Sequence, residues 1–98
     1  MAKLIDPNEL PKWISTVHPD WVMSDSHRQI SRTFTFKDYY QTMAFANSVA
    51  WIAHQKDHHP DMHLSYKKCL IEYSTHSAGG LTELDFNCAK AIDQLVEQ

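Results

Sequence analysis

Pro60 constrains this chain more than any other residue, because two incompatible periodicities meet there. Upstream, Tyr39, Met43, Ala46, Val49, Ala50 and Ala53 recur at helical spacing; downstream, Met62, Leu64 and Tyr66 alternate as a strand does. Proline disfavours helical geometry at the residue before it. The long helix must therefore fail by His58-His59-Pro60, and the chain must turn sharply into a β-hairpin.

The other elements follow from local pattern. Asp38-x-x-Gln41 is a capping box for the long helix. Its alanines (Ala44, Ala46, Ala50, Ala53) allow close approach of the core or of a helix from another subunit. Near the N-terminus, Asn8 is expected to cap a short helix that holds Pro11 in its first turn and carries Leu10, Trp13, Ile14 and Val17 on one stripe. His18-Pro19-Asp20 ends it. Residues 21–23 read as a short strand and 24–28 as a polar turn. Residues 29–36 then alternate, with Ile30, Arg32, Phe34 and Phe36 on one face. Arg32 interrupts that apolar face, and its head is expected at a sheet margin. After Pro60, the second alternation (Cys69, Ile71, Tyr73, Thr75) predicts a hairpin turning at Lys67-Lys68. Thr82-x-x-Asp85 opens a closing helix with Phe86, Ala89, Ile92 and Val96 on its apolar stripe. The expected fold is α+β in the order α-β-β-α-β-β-α. It is one domain over residues 1–98, a four-stranded antiparallel sheet with helices packed on one face.

Composition narrows the function. A chain of 98 residues buries roughly 65% of its unfolded surface, enough for one core without staples. Cys69 and Cys88 form no disulfide framework, and no C-x-x-C occurs, which points to a reducing compartment. A net charge of −3 argues against direct nucleic-acid binding. No apolar run suits a signal peptide or a membrane span. The expected location is cytoplasmic.

Seven histidines stand out, as many as the leucines. Four lie in His54-Gln-Lys-Asp-His58-His59-Pro-Asp-Met-His63, and His76 ends the last predicted strand before a glycine-containing loop. The turn at Pro60 and the hairpin beyond it can bring His58, His59 and His76 together. Imidazole suits proton donation and acceptance near neutrality. An isolated histidine is ordinarily a surface or capping residue, and His18, His27 and His63 are read so. Asp57 and Asp85 have helix-end roles available to them, or could orient an imidazole. His54 and His58 at i, i+4 could chelate a metal on a helix. However, the intervening Gln55-Lys56-Asp57 is not H-E-x-x-H, and Lys56 is unhelpful to a dication.

His54-x3-His58-His59-Pro60-x5-Tyr66-x9-His76-x8-Asp85 resembles the signature of pterin-4a-carbinolamine dehydratases, with seven positions matched across 32 residues. Trp21, the run from Phe34 to Asp38, and Gly80-Leu81-Thr82-x2-Asp85 extend the resemblance along nearly the whole chain. It implies a hydro-lyase that removes water from 4a-hydroxytetrahydropterin, the carbinolamine released by aromatic amino acid hydroxylases, to give quinonoid dihydropterin. No cofactor and no metal are implied. Carried over by position, the catalytic residues are His58, His59 and His76. The pterin-contacting residues are Asp57, His58, His59, Ser74, Thr75, His76 and Ser77, supported by His54, Pro60 and Asp85. His58 and His59 would handle hydroxyl departure and substrate placement, His76 would complete proton transfer, and Asp85 would orient a histidine. Two positions depart from the family: His54 stands where many relatives carry Glu, and Met62 where a Trp is common. The resemblance also implies a homodimer or homotetramer. It carries a second kind of function, because animal members serve as dimerisation cofactors of a homeodomain transcription factor. A His-ligated metal protein is the remaining alternative.

Overall fold

In a computed structural model of the protein, residues 2–96 are described; the ends of the expected domain, Met1 and Glu97-Gln98, lie outside them. The elements in chain order are α1 (Leu10–Ile14), β1 (Val22–Met23), β2 (Ile30–Thr35), α2 (Tyr39–Lys56), β3 (Asp61–Leu64), β4 (Lys68–Tyr73) and α3 (Glu83–Val96), with 3-10 turns at Pro7–Glu9 and His76–Ala78. All strand pairs are antiparallel and the sheet order is β1-β2-β4-β3. This is the α-β-β-α-β-β-α order read from the sequence, with the helices on one face.

Alternation in β2 and β4 sends Ile30, Arg32 and Phe34, and Cys69, Ile71 and Tyr73, to the covered face. There they meet Phe45 and Val49 of α2 and Phe86, Cys88, Ala89 and Ile92 of α3 in one core. The Phe34 and Phe45 rings are tilted with centroids 4.6 Å apart, and Phe36 lies 5.0 Å from Phe45.

Several expectations are corrected. Asp6, not Asn8, is the first cap: its Oδ1 accepts the Asn8 N–H at 2.9 Å and opens the 3-10 turn ahead of α1. α1 is therefore only five residues long, and Val17 is buried beyond its end. The buried stripe of α2 is Thr42, Phe45, Ala46, Val49 and Ala53; Tyr39 and Ala50 are exposed. The phase is set where Thr42 Oγ1 lies 2.9 Å from the Asp38 carbonyl and 3.1 Å from that of Tyr66. Pairing of Leu64 with Cys69 puts Tyr66-Lys67 at the hairpin tip, one residue before the expected position. The Arg32 head is buried, not marginal. It lies 4.3 Å over the Phe34 ring and donates to Asp93 Oδ1 at 2.6 Å, where Trp21 Nε1 also donates at 2.7 Å.

Candidate active site

The corner after α2 comes from its own C-terminus. Asp57 adopts the left-handed conformation (φ 50°, ψ 43°) and its N–H donates to the His54 carbonyl at 3.3 Å, while the His58 N–H donates to Ala53 at 3.1 Å. This crossed pair is the Schellman ending, which needs one left-handed residue; aspartate tolerates that region better than most side chains. His58 thus leaves the helix with its backbone already tied. That position also overturns the helical His54–His58 chelate, because His58 lies beyond the last turn. His54 remains on α2, exposed and stacked on Trp51 at 5.8 Å.

From the other side, β4 ends at Tyr73 and the chain continues through half-buried Ser74 to buried Thr75. The Thr75 N–H donates to the Gly80 carbonyl, and the Thr75 carbonyl accepts from Ala78 and Gly79, both at 3.0 Å. This tight turn carries His76 and Ser77, both exposed. Gly79 closes it at φ 78°, and a Cβ on Gly80 would stand 2.9 Å from Leu4 Cδ1.

Asp85 joins the two sides. An ionised carboxylate with no exposed surface is costly unless its oxygens are hydrogen-bonded. Oδ2 accepts the Thr82 N–H and the Thr75 hydroxyl, each at 2.9 Å, and Oδ1 lies 2.6 Å from His58 Nε2. With the Thr75 proton given to Asp85, the Thr82 hydroxyl donates to Thr75 Oγ1 at 2.8 Å and accepts the Leu84 N–H at 3.2 Å. The chain of donors therefore runs one way and ends on the carboxylate, which requires a proton on His58 Nε2. Nδ1 makes no hydrogen bond to the described residues. The Thr82-x-x-Asp85 pattern is a helix cap and a histidine anchor at once: one carboxylate oxygen serves each role.

Tyr73, Thr82 and Cys88 also contact this unit, although no motif in the sequence marks them as site residues. The Tyr73 ring stacks on the His58 imidazole, with centroids 5.2 Å apart and planes at 23°. Its hydroxyl donates to the His58 carbonyl at 3.1 Å, and Cys88 Sγ lies 4.0 Å from the same oxygen. Burial first, then the neighbouring Cys88 and Asp85, holds the Tyr73 phenol well above its ordinary range. Burial likewise raises the Cys88 thiol. The available signal for Tyr73 was the β4 alternation itself, since an inward tyrosine at a strand end must find a partner for its hydroxyl.

The expected residues thus fall into two groups. His58, Thr75 and Asp85 form a connected, largely buried unit. His59 and His76 adjoin it in sequence and are exposed, as are Asp57 and Ser77, and Pro60 is half-buried. Tyr66 of the signature stands apart at the hairpin tip, against Tyr39 at 6.3 Å. A cavity of about 440 Å³ lies along residues 2–6 with Glu9, Trp13 and Glu83, and His58, His59 and His76 are not among its lining residues. Among the described residues, no three His, Cys, Asp or Glu side chains gather as metal ligands, and no helix is long and apolar enough to cross a membrane.

Residues 3–95 match the family described as pterin 4 alpha carbinolamine dehydratase. A protein of Nitrosomonas eutropha, provisionally named a pterin-4-alpha-carbinolamine dehydratase, is 51% identical over 88 residues, covering 90% of this chain and 76% of its own length. A crystal structure of a transcriptional coactivator/pterin dehydratase from Brucella melitensis superposes with a TM-score of 0.88 at 28% identity, covering 95% of this chain and 98% of that one. The fold is shared at 22% identity (TM-score 0.69, 83% of this chain, 94% of that one) with a pterin dehydratase-like protein identified as a RuBisCO assembly factor of the alpha-carboxysome.

Proposed function

The chain belongs to the pterin-4a-carbinolamine dehydratase family, and on that premise we propose that it dehydrates 4a-hydroxytetrahydropterin by histidine acid/base catalysis. In this reaction the C4a–O bond breaks as the hydroxyl leaves with a proton. The N5 proton is lost, and a double bond forms between N5 and C4a. A proton donor and a proton acceptor suffice, a task within the range of imidazoles near neutrality. The observation that supports the reading is the hydrogen-bonded His58–Asp85–Thr75 unit, whose sequence neighbours His59 and His76 are exposed. Because Nε2 of His58 is engaged by Asp85, its exchange with substrate goes through Nδ1. His58 and His59 handle substrate placement and hydroxyl departure. The proton for the departing hydroxyl is given by protonated His59, because the bare Nδ1 of His58 can only accept, and His76 completes the proton transfer by taking the N5 proton. Asp57, Ser74, Thr75 and Ser77 contribute substrate contacts, chiefly through backbone groups, since the Thr75 hydroxyl is already committed to Asp85.

The protein works in the cytoplasm, downstream of an aromatic amino acid hydroxylase that supplies the carbinolamine. It is a homodimer or homotetramer. A second, protein-interaction role on the same fold is favoured by the outward face of α2, where Tyr40 is 82% and Trp51 60% exposed. The primary test follows decay of 4a-hydroxytetrahydropterin spectroscopically. Wild type should accelerate it, and His59→Ala and His76→Ala should each lose on the order of 10²- to 10⁴-fold. Decay at the uncatalysed rate with wild type would end the dehydratase reading.

A further inference from the structure

Tyr73 is fully buried at the last inward position of β4. Leucine or phenylalanine would fill that core position with no polar atom to satisfy. The hydroxyl and the ring of tyrosine both bear on His58. Its hydroxyl donates to the His58 carbonyl at 3.1 Å, and its ring covers the His58 imidazole at 5.2 Å. The hydrogen bond from Nε2 to Asp85 fixes a single atom of that imidazole and leaves the ring free to pivot about it. A stacked aromatic face limits the pivot, and offset stacks at such separations are favourable. The hydroxyl in turn pins the backbone immediately after left-handed Asp57.

We propose that Tyr73 is a positioning residue for His58, holding both its backbone and its imidazole plane so that Nδ1 meets substrate in one orientation. The groups facing His58 are Asp85 and Cys88 from α3 and Tyr73 and Thr75 from the β4 end. Lys56, the last residue of α2, adds its field at Cys88. Burial raises the phenol further above its ordinary range, which favours the protonated form that donates to the His58 carbonyl.

The consequence for rate rests on the dehydratase reading; the consequence for the imidazole does not. Tyr73→Phe keeps the ring and removes the hydroxyl, and Tyr73→Leu removes both. Misplacing a reacting group by about 1 Å can cost on the order of 10²-fold. The expected kcat losses are accordingly about 10-fold for the phenylalanine variant and about 100-fold for the leucine variant, with KM within about twofold. Histidine ¹⁵N NMR of the full chain should show His58 as the Nε2–H tautomer in wild type. Asp85 keeps that tautomer in both variants, but the His58 ring ¹⁵N and ¹H shifts should move as the imidazole plane reorients, further with leucine, while circular dichroism identifies the variants that fold. A wild-type His58 pattern in every variant that folds would overturn the proposal, whatever the rates. Should wild type fail to dehydrate the carbinolamine, the dehydratase reading falls and the ¹⁵N pattern alone decides the role of Tyr73.

Discussion

The two oxygens of Asp85 hold different parts of the protein: Oδ2 closes the start of α3 through the Thr82 N–H, and Oδ1 holds His58 across the corner. An amide in this place presents one acceptor and one donor, so it must abandon either the cap or the imidazole. Asp85→Asn is therefore expected to lower kcat by on the order of 10²-fold and to cost about 1–3 kcal/mol of stability, since a buried donor loses its acceptor. Steady-state rates and urea titration measure the two losses; wild-type kcat in the variant would show that His58 needs no carboxylate. The dual role was half legible, because T-x-x-D reads as a capping box from spacing alone. Asp93 was not legible at all. It gathers Arg32, Trp21 Nε1 and the His18 N–H, partners that stand 61 to 75 positions away. A charge pair so separated in sequence leaves no local mark, so Arg32 read as a marginal residue when it is a buried one.

Elements announced themselves wherever a short-range rule applies. Alternation marked β2 and β4, Asp38 marked the start of α2, and Pro60 marked the limit of that helix, which in fact ends at left-handed Asp57. The phase of α2 escaped because its residues are apolar or small on more than one side, so no unique stripe stands out. The tip at Tyr66-Lys67 escaped because a one-residue shift there leaves the alternation of β4 unchanged. For β4 the inward alternation has a measurable consequence. Burial pushes the Cys69 thiol up to about 11, and the Cys88 thiol and Tyr73 phenol rise for the same first reason. In the unfolded chain these groups lose their protons at lower pH, so unfolding releases protons between about pH 8.5 and 11. The stability they contribute is complete below that range and is lost as pH rises through it. Cys69 alone accounts for about 3 kcal/mol of this loss. Cys69→Ala should cost stability at pH 7.5 through lost packing, yet show a shallower decline between pH 8 and 10.5. Urea midpoints at several pH values test this; parallel declines in variant and wild type would refute it.

At the scale of the whole molecule, α2 has two faces of similar character. Inward it buries Phe45, Ala46, Val49 and Ala53; outward, Tyr40, Ala44, Asn47 and Trp51 share a second stripe at i, i+4, i+7 and i+11, all of them exposed. A surface helix of an isolated domain ordinarily presents a polar outer face, whereas a helix apolar all round belongs inside something larger. The protein measures 39 × 24 × 23 Å, and so small a body gains disproportionately from shared burial. A second copy laying its own α2 against this stripe would place Trp51 in the interface, and the small side chain of Ala44 lets the helix backbones approach. Wild type should therefore sediment at a multiple of the chain mass at micromolar concentration. Trp51→Glu should shift it toward monomer, because a carboxylate without a partner would be buried there at a cost of several kcal/mol. His58 is held by Asp85 of α3 and Tyr73 of β4, neither of which belongs to this stripe, so the monomeric variant should keep the Nε2–H tautomer of His58. A monomeric wild type, or a Trp51→Glu protein of unchanged mass, would exclude this face as the interface.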